Sequence, residues 1–373
     1  MQNVSGVKNC LARRSKKLSY VTIKDIAKHV DVSTATVSLV LSGNPRISEP
    51  TSRKVFRAIE NLGYSPSTAA RSLVLNKTKV ISLMVPQLDK IFVRPYFSIS
   101  ISGIYNACIE RGYKVQLELV SAEFVKKRRY MKLIQERATD GMISIGSTLK
   151  DVYLEEITEI KFPFILLGSY LKGNGFSYVT GDNKRGGVLA TSHLISLGRR
   201  NIAHIAGNFE VASAVDRFEG YRERMKKEGL NYNSGLVQIG DFSEDGAYHA
   251  MKKILVQKPD AVFAGDDLMA LGAIKAIQDL GMKVPEDISV CGMDDIPITV
   301  SMFPELTTVR YGIYDVAYRA TEKLIEMVEG RITEQVEEVM PVELIIRDSC
   351  GYKNGRTEGK SFMRGAGVLT REA

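Results

Sequence analysis

Six short apolar runs in this chain are followed by polar or aromatic residues of the kinds that hold ligands. Tyr96 and Phe97 come after LMVP, Asp182 and Asn183 after YVTG, Ser213 and Arg217 after HIAG, Asp241 and Phe242 after QIG, Asp266 and Asp267 after FAG, and Asp294 and Asp295 after CGM. Aromatic faces stack on sugar or base rings while carboxylates and a guanidinium take hydroxyl groups, the mixed lining that small-molecule sites use. This chemistry is binding rather than catalysis. The chain has no G-x-x-x-x-G-K-[ST], no G-x-G-x-x-G after a strand and no G-x-S-x-G elbow, and nothing pairs its carboxylates with a nucleophile. An acidic residue before a helix also has a plainer use as a cap on the N-terminal dipole. Asp267, before LMALGAIKAI, reads as such a cap, and Asp182, before NKRGGVLATSHL, fits either use.

Residues of this kind need a frame that brings strand ends together. From Lys79 onward the runs KVISLMV, KVQLELV, GMISIG, PFILLG, IAHIAG, AVFAG and ISVCGM alternate with amphipathic stretches, including 99–111, 188–197, 246–256 and 268–280. That alternation predicts parallel sheets with helices on both faces, and ligands in open α/β sheets bind beyond the carboxyl ends of strands. About 270 residues of it exceed one comfortable sheet domain, so two lobes are expected.

A different element precedes this frame. Residues 21–43, VTIKDIAKHVDVSTATVSLVLSG, read as two short helices, opened by Thr22 with Asp25 and by Ser33 with Thr36. Ile23, Ile26, Ala27 and Val30 mark one buried stripe, and Val37, Val40 and Leu41 the other. Asp31 tolerates the positive φ of the turn between them. Thr34, Ala35, Ser38 and Leu39 then lie on the outer face of the second helix, where a helix-turn-helix reads base edges. A third helix is predicted between Ser48 and Gly63, with Ile47, Val55, Ile59 and Leu62 closing a small core, and a very short capped one over 67–74.

The stretch 21–43, NLGYSP at 61–66 and AARSL at 69–73 resemble the lactose-repressor/purine-repressor family of bacterial transcription regulators, and later blocks extend the resemblance to about Asp348. It implies an all-α DNA-binding head over 21–64, a hinge helix or linker over 65–78, and a periplasmic-binding-protein-like core of two doubly wound lobes over 79–350. By the same likeness one lobe is 79–179 with 309–336, the other 180–308 with 337–350. The implied partners are double-stranded operator DNA, a small-molecule effector in the inter-lobe cleft and a second copy of the chain; no cofactor and no catalytic residue are implied. Asp182, Arg217 and Asp294 match effector-holding positions, Phe242 the stacking aromatic, Tyr96 and Phe97 the PFF-like segment, and Leu73 the leucine that wedges into the minor groove, with Ala70 one turn earlier. Ser213 and Asp266 join the expected cleft from their places after strands.

Four departures qualify the likeness. Arg94-Pro95 stands where members often have Asn-Pro, in a loop lengthened by residues 91–93. Val211 occupies the position of the effector-binding arginine of purine-type members, which favours a sugar or related polyol over a purine. Leu39 replaces an arginine that reads guanine in many relatives, so specificity at that base should rest on apolar contact. Residues 1–20 form a basic extension, either an arm adding phosphate contacts or a misassigned start.

Charge is distributed accordingly. The chain of 373 residues has a formal charge of +8, yet residues 1–78 alone carry +9, which suits a head that meets phosphates. The first 20 residues lack the apolar run and cleavage site of a signal peptide, and no stretch approaches the ~18 apolar residues of a membrane helix. Four scattered cysteines and four scattered histidines suggest neither disulfides nor a metal site. A soluble cytoplasmic protein is expected, with a polar tail at 351–373 lacking fixed structure.

Overall fold

The computed structural model of the chain describes residues 21–41, 44–64, 77–171, 175–230 and 233–352. They fall into two compact units, Met1–Val80 with Gln135–Asp140, and Ile81–Ile134 with Gly141–Ala373.

Among the described residues the first unit has the helices α1 (Ile23–Val30), α2 (Thr34–Leu41) and α3 (Glu49–Leu62). Ile26, Val37 and Val55 are fully buried and close a core with Ala27, Val40 and Ala58. Local chemistry marks the helix ends. The Asp25 carboxylate accepts from the Thr22 N–H at 2.8 Å and its hydroxyl at 2.7 Å, and the Ser33 hydroxyl accepts from the Thr36 N–H at 3.0 Å. Asp31 ends α1 in the left-handed region with φ 55°, and Gly63 ends α3 likewise with φ 62°. Ser48 departs from expectation: its hydroxyl pairs with that of Thr51 at 2.9 Å instead of a backbone N–H. Ser67, Ala70 and Leu73 lie outside the described residues, as do residues 1–20 and 353–373.

The second unit contains two six-stranded sheets. The first lobe's sheet is built from β1 (Val80–Pro86), β2 (Lys114–Val120), β3 (Gly141–Ile145), β4 (Phe164–Leu167), β5 (Tyr178–Gly181) and β11 (Glu337–Met340), in the order β11-β5-β4-β3-β1-β2. The second lobe's is built from β6 (Ile202–Ala206), β7 (Val237–Ile239), β8 (Ala261–Ala264), β9 (Ser289–Asp294), β10 (Thr307–Arg310) and β12 (Glu343–Ile345), in the order β12-β10-β9-β8-β6-β7. Pairing is parallel from β1 through β11 in the first lobe. In the second it is parallel except at β12, which runs antiparallel to β10. Continuous burial along β3, β4, β6, β8 and β9 is what a parallel sheet covered on both faces requires.

In the first lobe α4 (Pro95–Glu110) is followed by the short helices α5 (Ala122–Lys126), α6 (Arg129–Gln135) and α7 (Glu155–Glu159). In the second, α8 (Asn183–Ser196) packs on α9 (Ala212–Lys227), and α10 (Glu244–Ile254) packs on α11 (Asp267–Asp279). Helix α12 (Ile313–Val328) returns to pack on α4 over β3, β4 and β5. The sheets correct the lobe boundaries expected from the sequence. Residues 180 and 181 belong to the first lobe, 309 and 310 to the second, and 337–340 to the first. The chain therefore passes between lobes three times, after β5, after β10 and between β11 and β12. That last passage is only Pro341 and Val342.

Candidate functional site

The strand ends of the two lobes enclose a cavity of about 310 Å³. The first lobe supplies Leu88, Arg94, Tyr96, Phe97, Thr148 and Ser169, and the second supplies Asn208, Val211, Ser213, Arg217, Asp241, Phe242, Asp266, Leu268 and Asp294. Tyr311 lines it from the second crossing.

Arg217 is its electrostatic centre. It is 4% exposed, on a helix that comes close to α8 because two glycines face each other there. A Cβ on Gly187 would stand 2.2 Å from the Arg217 carbonyl oxygen. The guanidinium donates through Nε to Asn183 Oδ1 at 2.9 Å, through Nη1 to the Gly265 carbonyl, and through Nη2 to Asp294 Oδ1 at 3.2 Å. It also lies over the Tyr311 ring, 5.6 Å from the centroid, a cation–π arrangement. The Tyr311 hydroxyl accepts from the Gly181 N–H at 3.0 Å, which ties the first crossing to the second.

Two aromatic groups frame this centre. Tyr96 and Phe97 meet edge to face at 5.4 Å where α4 begins. Phe242 sits opposite in the left-handed region, φ 52°, directly after Asp241 with the same φ. A bulky side chain in that region is strained by about 1–3 kcal/mol and persists only where its surroundings hold it. Here the tip of the ring rests against Gly207, where a Cβ would stand 2.1 Å from it.

Asp266 and Asp294 are buried carboxylates beside the buried Arg217 guanidinium, and Asp267, also buried, acts on both of them. Burial pushes Asp266 up to about 6, against a hydrogen bond from the Met269 N–H and the nearby Arg217 and Arg94. Burial pushes Asp267 up to about 7 and raises Asp294 well above the carboxylate range, the latter opposed by Arg217. Asp267 does not line the cavity; it accepts from the Ile296 N–H at 2.9 Å and the Thr308 hydroxyl at 2.5 Å, holding the ends of β9 and β10 together. On the rim the lobes touch directly. The Leu149 N–H donates to the Glu210 carbonyl at 2.7 Å, Lys150 pairs with the Glu210 carboxylate, and the Tyr170 hydroxyl donates to Asp216 at 2.8 Å.

Of the expected effector residues, Tyr96, Phe97, Ser213, Arg217, Phe242, Asp266 and Asp294 line the cavity and Asp182 does not. Asp182 caps α8, its side chain accepting from the Arg185 N–H at 2.9 Å, and the residue that reaches Arg217 is its neighbour Asn183. The cap of α11 shifts by one residue as well. Asp266, not Asp267, is the N-cap and accepts from the Met269 N–H, at 2.7 Å. Sequence reasoning missed Asn208 and Tyr311. Both follow strand ends, and Tyr311 would have been found had TTVR been read as a strand.

In the first unit Thr22, Ser33, Thr34, Ala35 and Leu39 are exposed, and Thr36 and Ser38 half-buried. Thr22 and Ser33 begin the two helices, and the exposed residues of α2 form a face of short side chains around Leu39.

Comparison with known proteins agrees with both parts. Residues 22–67 match the profile described as bacterial regulatory proteins, lacI family, and residues 191–350 match a periplasmic binding protein-like domain. The ribose operon repressor of Halalkalibacterium halodurans is 33% identical over 330 residues, covering 88% of this chain and 96% of that one. The transcriptional repressor PurR of Vibrio vulnificus is 33% identical over 331 residues, covering 88% and 98%. Among solved structures, the transcriptional regulator CelR in complex with cellobiose is 31% identical with a TM-score of 0.69, covering 88% of this chain and 99% of that one. Head, two-lobed core and these relatives together place the chain in the lacI family of bacterial regulatory proteins, as a DNA-binding transcription regulator and not an enzyme.

Proposed function

We propose that the protein is a repressor that binds a pseudo-palindromic operator as a homodimer and is controlled by a sugar or related polyol in the cleft. The observation that carries the effector reading is the cavity itself, where stacking aromatics face a buried Arg217–Asp294 pair. Polar hydroxyl recognition between aromatic faces is the usual lining of a carbohydrate site. Two of the relatives support this reading, one named for ribose and another complexed with cellobiose, while the equally similar PurR is not named for a sugar. Val211 at the start of α9 puts an isopropyl group where purine-type members place an arginine, which disfavours a nucleobase.

For DNA, the N-terminal part of α2 enters the major groove with Ser33, Thr34, Ala35 and Ser38, and Leu39 reads its base by apolar contact; Thr22 and Thr36 take backbone phosphates. Ala70 and Leu73, outside the described residues, pack in the minor groove as the family resemblance implies. Tyr105 and Ile109 on α4, with Leu117 and Leu119 on the edge strand β2, are exposed apolar groups suited to the surface shared by two copies. The protein works where its operator is, in the cytoplasm.

Thermal unfolding of the full chain with a panel of sugars and nucleosides tests the effector reading, because a specific ligand raises the transition by mass action. A sugar should produce the largest shift, and that sugar should change operator affinity in a gel-shift assay. A nucleoside outperforming every sugar would overturn it.

A further inference from the structure

Arg94 is a half-buried guanidinium that lines the cavity, and it makes no side-chain hydrogen bond or ion pair with any described residue. It contrasts with Arg217, whose donors are occupied by Asn183, Gly265 and Asp294. An arginine is charged at every accessible pH and cannot escape desolvation by losing its proton. When a ligand fills the cavity and displaces water, a guanidinium without an anionic partner is a cost that grows with burial.

Among the described residues no carboxylate forms an ion pair with Arg94. Asp266 feels Arg94 electrostatically without forming an ion pair with it, and its Oδ1 accepts from the Met269 N–H at the head of α11. Asp294 is paired with Arg217. The cavity is therefore polarised. The three cavity carboxylates Asp241, Asp266 and Asp294 belong to the second lobe, and a free cation stands on the first, just ahead of Pro95 at the start of α4. Planar, forked donors of this kind match a carboxylate or phosphate in bidentate fashion.

We infer that the effector is an anionic sugar, whose hydroxyl groups face the second lobe and whose carboxylate or phosphate is bound by Arg94. This rests on the cleft being the effector site and adds the charge of the ligand. Its chemistry requires both ends at once: a simple anion would leave the aromatic faces of Tyr96 and Phe242 unused, and a neutral sugar would leave Arg94 without an anion.

The test is calorimetric titration of the full-length protein with D-glucose, D-galactose and D-mannose, each alongside its uronate and its 6-phosphate. The best binder should be an anionic form, at least tenfold tighter than its neutral parent, and the carboxylate and phosphate arms identify which anion Arg94 takes. Arg94→Gln should abolish that advantage by weakening the anionic form far more than its neutral parent, Arg94→Lys should retain part of it, and Phe242→Ala should weaken neutral and anionic forms alike. Equal affinity of neutral and anionic forms, or equal loss of both in Arg94→Gln, overturns the inference and leaves the cleft reading standing. Failure of all nine probes to bind overturns both.

Discussion

The two lobes of the core share a strand order and differ in what they present to the space between them. Reading outward from the first strand of each, both sheets run second, first, third, fourth, fifth, with a late strand from the chain's end added at the edge. Yet the second lobe carries Arg217, Asp241, Asp266 and Asp294 into the cavity, whereas the first brings aromatic rings, short hydroxyl side chains and one arginine. Equal topology thus fixes where a site can be but not which charges stand in it. The charged lobe also bears the internal cost, since its ion pair is buried and must be satisfied in full.

The two arginines give the sharpest way to break this contrast. Arg217→Ala leaves Asp294 buried without its cation and should destabilise the core by roughly 3–5 kcal/mol in urea unfolding, while Arg94→Ala should stay within about 0.5 kcal/mol. Similar losses for both would mean that the asymmetry between the lobes is not energetic. Next in size is Gly207→Ala, whose new methyl collides with the Phe242 ring. Overpacking of this kind costs about 1–3 kcal/mol, and effector affinity should fall at least tenfold as the ring is displaced. Unchanged affinity in calorimetry would remove Phe242 from the stacking role.

Acidity distinguishes the lobes more gently. Asp266 and Asp267 have folded pKa values raised by burial to about 6 and about 7, above the unfolded range. The folded state therefore holds more protons in that interval, so the stabilisation they give at low pH is lost as pH rises through about 4 to 7. The stability of Asp267→Asn relative to wild type should improve steadily from pH 5 to pH 8. A constant difference would show that Asp267 keeps one protonation state throughout. The smallest effect is expected from Tyr170→Phe, which removes one cross-cleft hydrogen bond to Asp216. Such a bond contributes about 0.5–1.5 kcal/mol, so effector affinity should drop no more than about tenfold, and no change would mean that the rim contact does not hold the lobes together.

How much of this was legible depended on the range of the interaction. Thr22 with Asp25 and Ser33 with Thr36 are caps spanning three residues, and Asp31 needs only its own backbone, so the helical unit could be read from adjacent letters. The strand ends also showed themselves, through apolar runs that stop at polar residues. What stayed hidden were one-residue distinctions and long-range partnerships. Asp182 and Asn183, or Asp266 and Asp267, differ in role because the first of each pair caps its own helix while the second bonds groups distant in sequence. Tyr311 acquires its role from Gly181, 130 residues earlier, and no local pattern reports that. The lobe boundaries slipped for the same reason, since Glu337–Met340 is a first-lobe strand only by pairing with Tyr178–Gly181.

The passage between β11 and β12 sets a mechanical limit. Two residues extend about 7 Å at most, and the ring of Pro341 fixes one of their few torsions. The lobes can turn about this short tether but cannot slide apart, so the cleft opens by angle and not by separation. A ligand that wedges the lobes by a small angle is then read out as a larger displacement at any point far from the tether, in the manner of a lever with a fixed fulcrum.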